Sequence, residues 1–452
     1  MVRQVGTIDL IRESDAEHSS HRARRRVIQM IRNGRHTGQL GVHRDACESQ
    51  PRANDLESSR IDASYRREPF LRIVAACHIA APSRPSGPCL VARVTTRNHW
   101  GETRLSSQTR SAPAFRLATC SAAGCAPFPA MLVNDRVYAL TAVNDYLRKE
   151  SDAIEGSGGS MLDVLDHWAE NLPRMQAAAA ALANGRADAL ARLSAATDGV
   201  RFHAPIPQPR QIFCSGANYR RHVVQIIMAQ ATDSTRNMNA QERQAYGEHI
   251  MEERARNGTP FFFVKAQSTV TGPLDSIVLP RDVEQPDWEL ELAVVMGRRT
   301  HRVTRQKALE YVAGYTIAND ITNRDRLYRK LGDMREMGMD WVASKCSATY
   351  LPLGPYLVPA SEVADPQSLQ ITLKLNGEVK QDDNTSDMIF GVARLIEDLS
   401  HKVTLLPGDV ICTGSPSGNG VHYGRFLRSG DVVESTITGL GTQRNPCIDE
   451  LE

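Results

Sequence analysis

Beyond the Pro205–Pro209 cluster, short apolar runs follow one another closely: Gln211–Ser215, Phe261–Lys265, Ile277–Leu279, Trp288–Met296 and Gly314–Ala318. Runs this short, rich in β-branched and aromatic residues and bounded by Gly, Pro, Asn and Asp, read as strands rather than helices. Two helical stretches, Thr304–Val312 and Asp387–His401, interrupt them. Asn376-Gly377 between two alternating segments is a two-residue hairpin signal, and Gly-Asp-Val at 408–410 and again at 430–432 launches a β-branched run each time. The expected class is therefore mixed α/β and β-rich, with a principal domain over 205–452.

Upstream, Phe115–Ala123 and Ala130–Leu140 read as strands joined through Gly124–Pro129, with a tight turn at Asn134-Asp135. Met161–Asn171 and the alanine-rich Met175–Ala196 read as helices. The Gly156–Ser160 loop lacks the lysine of a phosphate-cradling loop and is a linker. Together these predict a small β-rich domain over 113–204. Residues 1–112 contain no lysine, and arginine recurs from Arg3 through Arg24-Arg25-Arg26 to Arg110 without a sustained period. Such a segment buries too little apolar surface to offset its ordering entropy. It is expected to be a disordered extension, in preference to a nucleic-acid arm or a targeting peptide.

Composition narrows the function. Of 452 residues 41% are hydrophobic and 23% charged, with a net charge of +2, which excludes collagen-like, wholly disordered and strongly polyanion-seeking classes. The best early apolar run, Phe70–Pro82, is broken by Arg72 and His78, so no membrane span is expected. Asp9, Glu13, Asp15 and Glu17 argue against a secretory signal. Nine cysteines without a Cys-x-x-Cys pair argue against a disulfide framework or zinc ribbon, and point to a reducing, cytoplasmic location.

The chemistry concentrates at one strand. In Trp288–Met296, Glu289 and Glu291 share one face and Leu290 and Leu292 the other. Two like charges about 7 Å apart in an apolar element repel unless a cation lies between them. Asp320 closes the next apolar strand and can add a third oxygen, a sulfur-free set suited to Mg²⁺ or Mn²⁺. The competing reading makes the two glutamates the solvent face of an edge strand. Arg324, four residues past Asp320, offers a cation for an anionic substrate.

These residues resemble the fumarylacetoacetate hydrolase family. The resemblance rests on Gly216-Ala217-Asn218-Tyr219-Arg220-Arg221-His222, Phe262-Phe263-Val264-Lys265, Glu289-Leu290-Glu291, Asn319-Asp320 through Arg324-Asp325, Ser344-Lys345, Leu353-Gly354-Pro355, Asn376-Gly377-Glu378 and Pro407–Pro416, in the family's order from about residue 205 onward. It implies a multilayer β-rich fold, commonly homodimeric, acting on small 2-oxo or 2,4-dioxo carboxylates with Mg²⁺ or Mn²⁺. It also implies metal ligands at Glu289, Glu291 and Asp320, a general base at His222, oxyanion or enolate donors at Arg324 and Lys345, and substrate contacts at Tyr219, Lys265 and Thr413.

Two positions depart from the pattern. Many relatives place glutamate three residues after the histidine, where this chain has Gln225, and hydrolytic relatives often carry glutamine where it has Leu327. An amide orients an imidazole but lends it no negative charge. The charged segment Ala229–Asn257 has two readings. It is a lid in which Glu242, Glu248, Glu252 or Glu253 replaces the missing carboxylate, or it is a solvated helix.

The expected function is hydrolysis of a carbon–carbon bond in an acylpyruvate-like or fumarylacetoacetate-like acid, as in aromatic-compound catabolism. Hydration, isomerisation or decarboxylation at the same metal site is the alternative, and non-catalytic oxo-acid binding is a further one. No Gly-x-Ser-x-Gly elbow or His-Glu-x-x-His helix supports another hydrolytic route.

Overall fold

Two turn signals do what their residues require. In a computed structural model of the chain, Asn134 and Asp135 both take positive φ (48° and 57°), as do Asn376 and Gly377 (53° and 85°). Each pair closes a hairpin, Phe128–Val133 on Arg136–Ala139 and Gln370–Leu375 on Glu378–Asn384. Positive φ at both central residues gives the turn whose twist matches the flanking strands. The structure describes residues 115–147, 153–184, 195–229, 235–328 and 338–451, so the extension expected over 1–112 lies outside the described residues.

The fold is mixed α/β and β-rich, built on three larger sheets. The first is antiparallel and five-stranded, in the order Ala195–Ala196, Arg136–Ala139, Phe128–Val133, Arg116–Ser121, Arg201–Phe202. The central sheet runs Val358–Pro359, Val312–Asn319, Leu290–Met296, Val410–Cys412, Ile212–Ser215, Phe262–Val264. The third runs Glu378–Asn384, Gln370–Leu375, Val432–Ile437, Gly441–Asp449, Ile277–Leu279.

Every residue of Leu290–Met296 is buried, because this strand lies inside the central sheet with apolar layers on both faces. Ala293 and Val295 join a cluster with Leu117, Met131, Val164 and Leu165 from the amino-terminal segment. Leu290, Leu292, Val294 and Met296 join Ile371, Leu373, Val433 and Ile437 of the third sheet. The edge-strand reading of the two glutamates is thereby corrected: a strand paired on both sides has no solvent face to give them. A strand buried on two faces also has little reason to carry carboxylates unless they are used.

Helix boundaries moved where side chains had other work. The expected Asp387–His401 helix is observed as Val392–Lys402, because Asn218 binds Phe390 through both the N–H and the carbonyl and Asp387 accepts the Arg221 N–H. Thr304–Val312 resolves into a short helix, Arg305–Ala308, and a 3₁₀ turn, Leu309–Tyr311. The described cysteines Cys120, Cys125, Cys214, Cys346, Cys412 and Cys447 form no disulfide with one another. Among the described residues no helix is long and apolar enough to cross a membrane.

Asp409, in the turn before Val410–Cys412, supplies a stability prediction. One carboxylate oxygen accepts from Gln211 Nε2 and the Leu406 N–H, at 2.6 and 2.7 Å; the other is buried without a partner among the described residues. Burial pushes its pKa up to about 6, above the unfolded value of about 3.9. The native state therefore binds this proton more tightly, and the contribution to stability is lost as pH rises from about 4 to about 6. Asp409→Asn is expected to gain on wild type across that window in urea melts, and to keep a constant difference above it.

Candidate active site

The pairing of Leu290–Met296 with Val312–Asn319 assembles the site. Leu290 lies opposite Asn319 and Glu291 opposite Ala318, so Glu289 and Asp320 face each other across the strand ends, and the Asp320 N–H donates to Glu289 O at 2.8 Å. Glu291, two residues further, projects to the same side. Ligand oxygens of Glu289, Glu291 and Asp320 all lie within 4.8 Å of one another, and all three residues are buried.

Three cations enter this cluster. Lys345, delivered by the Trp341–Lys345 helix, donates to Glu289 Oε2 at 2.7 Å and to Asp320 Oδ2 at 2.6 Å. Lys265 donates to Asp320 Oδ1 at 2.7 Å and to Ile321 O at 3.2 Å. Arg324 donates through Nη2 to Glu289 Oε1 at 2.5 Å and through Nε to Asp287 Oδ2 at 2.8 Å.

The charges polarise one another. Burial would raise the Glu289 carboxyl, but Lys345 and Arg324 outweigh it and hold the group well below the usual carboxylate range. Burial would lower Lys345, but Asp320 and Glu289 hold its ammonium above the ordinary lysine range. Glu291 goes the other way, raised by burial and then by Asp320, Cys412 and Glu289. It accepts the Gly414 N–H at 2.7 Å. Among the described residues no lysine or arginine pairs with it. A buried carboxylate with no lysine or arginine paired to it among the described residues, inside a three-carboxylate oxygen set, is the donor chemistry that fits Mg²⁺ or Mn²⁺.

His222 projects from the Arg220–Ala229 helix and is 9% exposed. Burial draws its pKa down to about 4; Glu289 opposes this, while Arg324, Lys345 and His422 add to it. The imidazole is therefore neutral at neutral pH. Gln225 accepts the Gly418 N–H at 3.3 Å. Leu327 supplies no side-chain donor; its carbonyl accepts the N–H of Asp340, which caps the helix bearing Lys345.

Of the other expected contacts, Tyr219 is buried with its hydroxyl unpartnered among the described residues. Thr413 turns its hydroxyl to Leu292 O at 2.8 Å. Lys265 is committed to Asp320 and acts on a carboxylate of the triad.

The acids of the Ala240–Asn257 helix are occupied locally. Glu242 completes a capping box with Asn239, Glu248 accepts from Gln244, and Arg256 pairs with Glu252 and Glu253. The carboxylate that acts most on His222 is Glu289. Single changes of the four acids to glutamine are expected to leave turnover within about twofold, as for exposed ion pairs of low energy; a larger loss at any one would place it at the site.

Asp287 was missed by sequence reasoning. It is fully buried, yet it shares the parity of Glu289 and Glu291, and extending the alternation two residues back would have found it.

The family model described as fumarylacetoacetate (FAA) hydrolase, C-terminal, matches residues 211–448. The chain belongs to the fumarylacetoacetate hydrolase family. Among its relatives in that family, a mitochondrial oxaloacetate tautomerase of Rattus norvegicus is 34% identical over 252 residues, covering 55% of this chain and 70% of that one. A 2,4-didehydro-3-deoxy-L-rhamnonate hydrolase of Sphingomonas sp. (strain SKA58) is 41% identical over 203 residues, covering 44% and 69%. The solved structure of a fumarylacetoacetate hydrolase from Exiguobacterium antarcticum superposes with a TM-score of 0.54 at 25% identity, covering 74% of this chain and all of that one.

Proposed function

We propose that this chain forms and discharges the enolate of a 2-oxo acid, with Glu289, Glu291 and Asp320 as ligands for Mg²⁺ or Mn²⁺. The observation that carries this reading is a buried three-carboxylate oxygen set whose neighbours, Arg324 and Lys345, are cations held by the same carboxylates. When bound, the dication would supply Lewis acidity toward the oxygens of a 2-oxo carboxylate.

Everything else falls to the chain's own residues. Arg324 and Lys345 bring fixed positive charge to the oxygen that becomes negative, and one such donor is worth about 3 kcal/mol of barrier. Lys265 fixes Asp320 from behind. Neutral His222 takes up a proton on a ring nitrogen and returns it. The Tyr219 hydroxyl is a further donor for the substrate.

The reaction this arrangement supports best is proton transfer at the carbon beside the oxo group, a keto–enol tautomerisation. Lifting and returning a proton asks only for a neutral base and a stabilised enolate. Activating water asks for more. Gln225 gives the His222 imidazolium no negative partner, Glu289 is engaged by Lys345 and Arg324, and Leu327 contributes no second donor. The similarity to an oxaloacetate tautomerase supports this choice. Carbon–carbon hydrolysis of an acylpyruvate is the second reading, favoured by the 41% identity to a hydrolase.

The test offers oxaloacetate, fumarylpyruvate and acylpyruvates in D₂O with Mg²⁺ and follows products by NMR and mass spectrometry. Tautomerisation accelerates keto–enol interconversion and places deuterium beside the oxo group with the carbon skeleton intact. Hydrolysis releases pyruvate and a second acid in equal amounts. Turnover of none of them with either metal contradicts the proposal.

A further inference from the structure

Asp287 lies outside the three-carboxylate set and is fully buried. Its Oδ1 accepts the Gly420 N–H at 2.5 Å, and its Oδ2 accepts Arg324 Nε–H at 2.8 Å and the Val421 N–H at 3.2 Å. The same guanidinium reaches Glu289 Oε1 through Nη2. The adjoining turn is pinned to the strand on both sides: Trp288 Nε1 donates to Gly418 O at 3.0 Å and Asn419 Nδ2 to Trp288 O at 2.9 Å. Arg324 is thus stretched between one carboxylate of the three-carboxylate set and one anchored to the backbone at the start of the short Gly420–Tyr423 helix.

We infer that Asp287 is the positioning residue for Arg324: it holds the guanidinium at a fixed place beside Glu289 and ties that place to the Gly418–Val421 turn. This rests on the role given to Arg324 under the proposed function. A planar guanidinium with its Nε side anchored keeps its Nη groups in one plane and direction. Without that anchor the cation is free to fold onto Glu289 alone, losing its aim and competing with the dication for the same oxygen. Asparagine cannot replace the aspartate. If its amide oxygen faces Arg324, its N–H₂ meets the Gly420 N–H, and the flipped amide sets N–H₂ against Arg324 Nε–H.

The experiment is a double-mutant cycle on the intact protein with Mg²⁺, using Asp287→Asn and Arg324→Gln, read as kcat and KM together with calorimetric binding of oxalate, a planar enolate mimic. Asp287→Asn is expected to lower kcat on the order of a hundredfold, to weaken oxalate, and to change KM much less. In the Arg324→Gln background, adding Asp287→Asn is expected to change kcat by no more than about twofold, since the two act as one unit.

A purely structural role would make the two losses multiply, and that result overturns the inference. Wild-type kcat in Asp287→Asn together with a crippled Arg324→Gln also overturns it while leaving the proposed function standing. Wild-type kcat in Arg324→Gln removes both. Should Asp287→Asn fail to fold, Arg324→Lys decides: lysine keeps the charge but lacks the fork, so it should be as deficient as glutamine. Wild-type turnover in Arg324→Lys would overturn the inference.

Discussion

Glu291→Gln is expected to abolish binding of the divalent cation and to cut turnover roughly a thousandfold, since Lewis-acid assistance is worth several kcal/mol of barrier. The metal-free protein should nevertheless be no less stable than wild type. Glu291 is the triad member without a lysine or arginine partner among the described residues, and glutamine can still accept the Gly414 N–H that its Oε2 accepts now. Replacing an uncompensated buried carboxylate by a neutral isostere removes a desolvation cost and little else. Wild type at a hundredfold excess of metal over its dissociation constant should gain about 2.7 kcal/mol from binding, seen as a rise in melting temperature. The variant should show no such rise. Calorimetric melts with EDTA and with Mn²⁺ check both halves; a marked destabilisation in EDTA would mean that Glu291 has a structural partner the account lacks.

Asp320→Asn should behave in the opposite way, although it alters the same oxygen set. Asp320 is the shared counter-charge of two lysines whose side chains are 0% and 3% exposed. An amide can accept from one ammonium but presents N–H₂ to the other. Depending on which way the amide faces, either Lys265 would keep only Ile321 O, or Lys345 only Glu289 and the residue-320 carbonyl. Leaving a buried cation short of its partner costs on the order of 3–5 kcal/mol. The metal-free variant should therefore melt well below wild type, and metal should not rescue it. Equal stability of wild type and Asp320→Asn in EDTA would contradict the charge arrangement described for the site.

The contrast explains what could be read from the sequence. Alternation placed Glu289 and Glu291 on one face, and the apolar run ending at Asn319-Asp320 supplied a third oxygen, because period and turn position are local properties. The resemblance added His222, Arg324 and Lys345 as candidates. Local pattern could not tell whether the glutamate strand was an edge or a centre, since that depends on Val410–Cys412 arriving from over a hundred residues away to pair with it.

Nor could it show which cation meets which carboxylate. The pairing of Lys265 with Asp320 exists only once the fold brings them together, and the acids of Ala240–Asn257 meet Asn239 at the helix cap and Gln244 and Arg256 along the helix. Asp287 stayed hidden for a different reason. Its parity was visible, but its partners, Arg324 and the Gly420 N–H, lie 37 and 133 residues away.

The proposed chemistry depends on where a dication binds. Crystals grown with Mn²⁺ and oxalate, measured at a wavelength with strong manganese anomalous scattering, should show one dominant peak within about 2.0–2.3 Å of carboxylate oxygens from Glu289, Glu291 and Asp320. A triad with no peak at saturating Mn²⁺, its carboxylates still closed on Lys345 and Lys265, would contradict it.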